Sequence, residues 1–255
     1  MAAGSKEPGA AWHIATVASV HEETPRVKLF RLNLPDSLLK WGFHAGQYFD
    51  VRLTAPDGYQ AQRSYSITSS PDQTNLIELA IELVADGEVS SYFHESVEVG
   101  DRIEIRGPIG GYFTWLPLST KPVLHIAGGS GIAPIMSMLR HRISSESRAR
   151  ALLIFSTRTE ADILFHDELD QMAKYDPNFN HIIALTRGAP QIWNGEDRRI
   201  DRPMIDEAVT TLVGSGELPD RAYVCGGSDF VESMGNYLLD SGMSHSDVRT
   251  ERFGP

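Results

Sequence analysis

Arg63, Tyr65 and Ser66 sit in "AQRSYSITSS" (61–70), a stretch that otherwise has the pattern of a strand. Strand alternation puts Arg63, Tyr65 and Ile67 on one face and Ser64, Ser66 and Thr68 on the other. A guanidinium matches the geometry of a diphosphate, and a tyrosine ring packs well on a flat apolar ligand. Two readings fit: an exposed edge strand, or a surface that holds a planar, phosphorylated ligand. A second pattern lies in "VLHIAGGSGIAPIMSMLR" (123–140), where an apolar run meets Gly128-Gly129-Ser130-Gly131 and then a helical pattern. Glycine lets the backbone approach a ligand closely, and a helix start offers unpaired N–H groups at its positive end. Pro134 fits that first turn, where a missing N–H costs nothing. Gly129-x-Gly131 lacks the third glycine of the dinucleotide fingerprint, so the loop alone is equally a bare tight turn. Its place between strand and helix favours a phosphate cradle.

A third pattern bears on which nucleotide that cradle would take. An acidic residue ending the next strand would bond a ribose 2′-hydroxyl and favour NAD. "ALLIFSTRTEADILF" (151–165) offers Ser156, Thr157 and Arg158 there instead. Arg158 suits a 2′-phosphate and points to NADP, with NAD still open because Glu160 and Asp162 follow closely. Arg187 ends the following strand-like run, "HIIALTR", and Arg198 or Arg199 could join it.

The elements that must position these residues fall into two textures. Up to about residue 116 the apolar runs are short and alternating: "HIATVASV", "RVKLFRLNL", "QYFDVRL", "RSYSIT", "LIELAIELV" and "DRIEIRG". Six such strands with turn residues between them predict an antiparallel barrel or sandwich. "GEVSSYFHESV" (87–97) breaks the pattern, because Val89, Tyr92, Phe93 and Val97 recur at helical spacing. After "PLSTKP" (117–122) the runs "VLHIA", "ALLIFS", "HIIAL" and "AYVCG" are continuously apolar, with helical stretches between. That alternation predicts a parallel sheet with helices on both faces. In "SDFVESMGNYLLDSG", Phe230, Met234, Tyr237 and Leu238 share one stripe, with Ser228 as the expected cap and Gly242 as the stop.

A chain of 255 residues can bury one large core or two modest ones. Its formal net charge of -11 argues against general nucleic-acid binding while leaving room for local phosphate pockets. One cysteine, Cys225, cannot hold an iron–sulfur cluster and suits a cytoplasmic setting. No apolar run reaches transmembrane length, and the polar start (1–10) is expected to be a disordered tail.

Taken together and in this order, "RSYS", "GEVSSYFH", "GPIGGYF", "GGSGIAP", "CGG" and "ERFG" resemble the motifs of the ferredoxin–NADP reductase superfamily over about residues 11–255. The resemblance implies an FAD-binding antiparallel β-barrel (11–118) followed by an α/β parallel-sheet NAD(P)-binding domain (119–255). Arg63 would meet the FAD pyrophosphate, Tyr65 would pack along the flavin and Ser66 would sit at the N5 edge. That last role conflicts with strict alternation unless the strand ends or bulges there. Gly87, Val89 and Ser90 would offer backbone N–H groups and a hydroxyl to the pyrophosphate. Gly107, Pro108 and Gly110 would shape a loop near the domain junction. Gly129, Ser130 and Gly131 would face the nicotinamide cofactor's pyrophosphate, with Cys225 and Gly226 beside its ring. Phe253 would cover the flavin face with Glu251 as a polar neighbour.

Many relatives carry a basic residue in the strand before the second FAD motif. Here that strand holds Glu78 and Glu82, which are expected to point outward. Relatives fused to a plant-type ferredoxin domain continue past such an ending with a cysteine cluster. This sequence stops at Pro255, so its acceptor is expected to be a separate molecule. The implied activity is hydride transfer from NAD(P)H to FAD and then single-electron transfer to a ferredoxin, an oxygenase component or a small molecule. Two alternatives stand beside it: a free-standing diaphorase acting on quinones or free flavin, and a non-catalytic redox-sensing module. An acidic ferredoxin would need a basic patch, for which Arg26, Lys28 and Arg31 are candidates.

Overall fold

The short alternating runs of the first half become strands because each can bury one face. In the computed structural model, residues 11–73 and 75–253 are described, so the expected tail at 1–10 lies outside the described residues. The chain divides into two units, one reaching to Trp115 with Met136–His141 added, the other formed by Leu116–Ile135 and the chain from Arg142.

The first unit holds β1 (His13–Thr24), β2 (Val27–Asn33), β3 (Tyr48–Thr54), β4 (Gln60–Ser66), β5 (Leu76–Glu82) and β6 (Arg102–Ile109). They pair antiparallel in the order β4-β3-β6-β1-β2-β5. The two ends of this sheet meet just past β4, where Ile67 bridges Leu79 and the Thr68 N–H donates to the Glu78 carbonyl at 2.8 Å. A six-stranded antiparallel barrel results. Its core gathers Phe30, Phe49, Val51, Ile77, Leu79, Ile81 and Ile105. α2 (Glu88–Glu95) adds Val89 and Phe93, four apart on one helical face, and Phe93 meets Phe30 edge-on at 4.9 Å. A one-turn helix α1 (Asp36–Leu39) buries Leu38; it is too short for periodicity to reveal.

The second unit is a parallel sheet in the order β11-β10-β7-β8-β9. Its strands are β7 (Val123–Gly128), β8 (Ala151–Thr157), β9 (Phe179–Leu185), β10 (Arg221–Gly227) and β11 (Val248–Phe253). β7 is buried along almost its whole length, as a strand covered on both faces must be. A turn of 3₁₀ helix (Gly129–Gly131) leads from β7 into α3 (Ile132–Ser144). α4 (His166–Tyr175) precedes β9, and α5 (Arg202–Val213) and α6 (Ser228–Asp240) share one core with Leu124, Ile126 and Val224. Gly227, not Ser228, occupies the cap position of α6, while Gly242 follows its last turn at φ +99 as expected.

Candidate functional site

In the barrel Arg63 lies mid-strand in β4, and the pattern after it becomes a strand end. Ser66 is the last residue of β4, so its neighbours leave the strict alternation at that point. Arg63 is exposed; its guanidinium donates to the Gln62 carbonyl at 2.7 Å, and among the described residues no carboxylate pairs with it. Tyr65 lies half-buried against Phe93, ring centroids 6.3 Å apart, and burial pushes its hydroxyl up to about 12. It therefore stays neutral at any physiological pH. Ser66 is 3% exposed, and its Oγ has no hydrogen-bond partner among the described residues. A buried hydroxyl left unpaired costs about 1–3 kcal/mol, which a polar ligand atom would relieve.

The turn before α2 is built differently from what its motif suggests. The Ser90 hydroxyl donates to the Gly87 carbonyl at 3.1 Å and accepts the Val84 N–H at 3.2 Å, so it is spent inside the turn. The Gly87 N–H is spent too, on the Val84 carbonyl at 3.0 Å. A side chain on Gly87 would meet Ser90 Oγ at 2.5 Å, so glycine is needed for the turn itself. What α2 leaves for an anion is its first-turn backbone amides; Ser91 is the first to find a helical acceptor, Gly87. Tyr59, from the β3–β4 hairpin, donates to the Glu88 carboxylate at the same helix start (2.9 and 3.1 Å), a contact with no sequence signal. Gly107 and Pro108 lie inside the end of β6, not in a loop. A side chain on Gly107 would sit 2.6 Å from the Phe49 ring, whereas Gly110 turns the chain at φ +102.

Glu78 does not point outward: it is 3% exposed and accepts from Arg31 (2.9 Å), Arg140 (2.7 Å) and Thr68 (2.8 Å). Burial alone would raise its carboxyl, but the two guanidiniums and the hydroxyl bring it below its ordinary value. Strand alternation could not show this, because Arg140 arrives from α3, sixty residues later in the chain. Asp50 is buried as well, bonded by Ser64 (2.6 Å) and Arg106 (2.6 Å). The candidate docking residues are engaged within the unit: Arg26 meets Glu82 (3.4 Å), Lys28 donates to the His94 carbonyl (2.8 Å) and keeps its charge, and Arg31 meets Glu78.

In the second unit the candidate residues gather at the carboxyl ends of the strands. Gly129 is exposed with φ +55, a conformation that favours glycine, and Ser130 is half-buried beside it. Gly131 is buried, and a Cβ there would lie 2.3 Å from the Cys225 carbonyl oxygen. Its glycine serves close packing of the loop on β10. Pro134 is buried in the first turn of α3.

Cys225 pairs in register with Glu251, and Gly227 with half-buried Phe253. Burial, reinforced by the Glu251 charge, holds the Cys225 thiol well above its ordinary value, so it is not a thiolate nucleophile. Burial also pushes Glu251 up to about 7, and its Oε2 is buried without a partner among the described residues. This carboxyl can hold or release a proton near neutrality.

Arg158 and Arg187 are both exposed, and their backbones meet, the Arg187 N–H donating to the Arg158 carbonyl at 2.8 Å. Asp162, which weighed against NADP, is folded back onto Thr159, accepting from its N–H (3.1 Å) and hydroxyl (2.7 Å). Arg198 is tied to Glu196 at 2.7 Å and to Asp201. Among the described residues no group of three or more His, Cys, Asp or Glu could hold a metal ion. No helix among them is long and apolar enough to cross a membrane.

Residues 15–114 match the model of the oxidoreductase FAD-binding domain, and 125–235 that of the oxidoreductase NAD-binding domain. The ferredoxin–NADP reductase B of Sorangium cellulosum is 34% identical over 214 residues, covering 83% of this chain and 85% of that protein. The glycine betaine monooxygenase reductase subunit of Pseudomonas aeruginosa is 29% identical over 244 residues, 95% of this chain and 64% of the relative. The chain thus spans slightly less than two-thirds of that relative's length. A ferredoxin NADP+ reductase from Neisseria gonorrhoeae, solved with bound FAD and NADP, shares the fold at a TM-score of 0.80 and 23% identity, covering 95% and 99% of the two chains.

Proposed function

We propose, for a chain that belongs to the ferredoxin–NADP reductase family of FAD- and NAD(P)-binding oxidoreductases, that it takes hydride from NADPH and passes electrons one at a time to a separate carrier. The carrier is a ferredoxin or an oxygenase component, in a cytoplasmic setting. The observation that carries this reading is the presence on one strand, β4, of an Arg63 with no acid partner and a buried Ser66 hydroxyl with no hydrogen-bond partner among the described residues.

FAD fits these residues. Arg63 and the first-turn amides of α2 around Val89 and Ser90 hold its diphosphate, and Gly87 shapes the turn that presents them. Tyr65, a neutral ring half-buried against Phe93, would pack along the ring system, and Ser66, buried with no hydrogen-bond partner among the described residues, would give its hydroxyl to the ring edge. When bound, FAD supplies the exchange between a two-electron donor and a one-electron acceptor. In the second unit Gly129 and Ser130 face the dinucleotide's diphosphate, while Gly131 and Pro134 fix the loop that carries them. Arg158 and Arg187 take the 2′-phosphate that distinguishes NADPH from NADH. Cys225, as a neutral thiol, and Glu251, as a carboxyl that titrates near neutrality, line the nicotinamide end. Phe253, half-buried at the end of β11, supplies an aromatic ring among the same strand ends.

One observation favours a second acceptor class. Arg26 and Arg31 are paired with Glu82 and Glu78, which weakens the basic patch there for an acidic carrier and suits a quinone or free flavin. Stopped-flow reduction with NADPH and NADH, followed by reoxidation with ferredoxin or quinone, tests both points. NADPH is expected to reduce the bound flavin at lower concentration than NADH. Equal efficiency with both would remove the roles given to Arg158 and Arg187. A flavin untouched by either would leave the redox-sensing alternative.

A further inference from the structure

Two motif glycines are kept bare by a side chain that the pattern placed in the helix stripe. Phe230, in the first turn of α6, presses its ring against Gly128 at the end of β7 and Gly226 near the end of β10. A Cβ on Gly128 would lie 3.0 Å from the ring's Cδ1, and one on Gly226 only 2.7 Å from it. β7 and β10 are parallel neighbours, and the sheet grows from β7 toward β8 on one side and toward β10 on the other. Strand order reverses here, which is where open α/β sheets receive ligands, outside the carboxyl ends of the strands. Gly131 closes the same crevice from the loop side, in contact with the Cys225–Gly226 peptide. A ligand therefore has no path down between the strand ends. The Phe230 ring is only half-buried, so part of it faces outward at that point.

We propose that Phe230 is a positioning residue of the nucleotide site: its ring, settled on Gly128 and Gly226, is the floor on which the nicotinamide half of the dinucleotide lies. This rests on the nucleotide reading of the second unit and adds to it a reason for both glycines. They are bare so that the ring can sink, and the size of residue 230 sets how high the nicotinamide half rides. A flat aromatic floor suits a ribose and a planar ring better than a flexible aliphatic one.

The test uses the FAD-loaded protein and three variants. Phe230→Ala is expected to weaken NADPH binding by about two- to ten-fold, the worth of one aromatic contact. It is also expected to slow the limiting rate of flavin reduction. The inhibition constant of 2′,5′-ADP, which lacks the nicotinamide half, is expected to stay unchanged, as is reduction by dithionite. A merely structural role would move both nucleotides together. Phe230→Leu keeps most of the volume and is expected to recover most of the NADPH affinity. Gly226→Ala displaces the ring, so its defect should not add to that of Phe230→Ala in the double variant; this arm stands even if Phe230→Ala folds poorly. Wild-type NADPH kinetics in Phe230→Ala, or full additivity in the double variant, would overturn the floor while leaving the reductase reading intact. A wild-type flavin that no nicotinamide reduces would overturn both.

Discussion

Glu251 offers a stability measurement whose size follows from its burial. It stands on β11 beside Cys225 of β10, its Oε2 has no partner among the described residues, and burial is the cause of its rise from 4.5 to about 7. At 1.36 kcal/mol per pKa unit, such a rise is worth about 3 kcal/mol. Between the two values the folded protein binds this proton more tightly than the unfolded chain does. The group's contribution is therefore most favourable below about pH 4.5, declines as pH climbs to about 7, and stays at its least favourable level above that. Glu251→Gln keeps the shape and removes the titration. Urea unfolding of both proteins at pH 5 and pH 8 should show the variant gaining about 2.5 kcal/mol on wild type between the two conditions. The Cys225 thiol, raised well above its ordinary value, stays neutral across that window and does not confuse the comparison. A difference between the proteins that is the same at both pH values would refute the reasoning, because it would mean the carboxyl finds a partner or solvent.

Other perturbations separate the roles of single residues. Arg63→Gln removes a charged donor with no acid competitor, and FAD should bind about ten- to a hundred-fold more weakly in a titration of flavin fluorescence; unchanged affinity would take Arg63 out of the diphosphate site. Gly131→Ala pushes a methyl to 2.3 Å from the Cys225 carbonyl, where only backbone can yield, so the melting temperature should drop by about 3–10 °C. A wild-type melting temperature would mean that the loop moves away freely. Replacing Arg158 and Arg187 together by alanine should weaken NADPH about ten-fold or more and leave NADH where it was, and a parallel loss for both nucleotides would contradict the 2′-phosphate role.

The strands were legible because their apolar spacing is a local property, and so was the parallel sheet, whose runs are apolar at consecutive positions. The cofactor motifs were legible as motifs, but what each residue does within them was not. Ser90 looked like a free hydroxyl; the turn consumes it through Val84 and Gly87. Gly131 looked like a place for a phosphate to come close; the close approach is that of its own neighbour strand. Glu78 looked like a surface acid because its partner Arg140 is 62 positions away. Phe230 looked like core because helical periodicity cannot say that two glycines wait opposite it. Contacts between distant segments carry no sequence period, and those contacts decide which motif atoms remain available.

The central claim is that the barrel holds FAD by its diphosphate and that a nicotinamide nucleotide bound to the second unit reduces it. Anaerobic titration of the FAD-loaded protein with NADPH, following flavin absorbance, tests this most directly. The account predicts that one equivalent of NADPH bleaches one bound flavin per chain. A folded chain that takes up no FAD, or one whose flavin absorbance neither NADPH nor NADH changes, would contradict it.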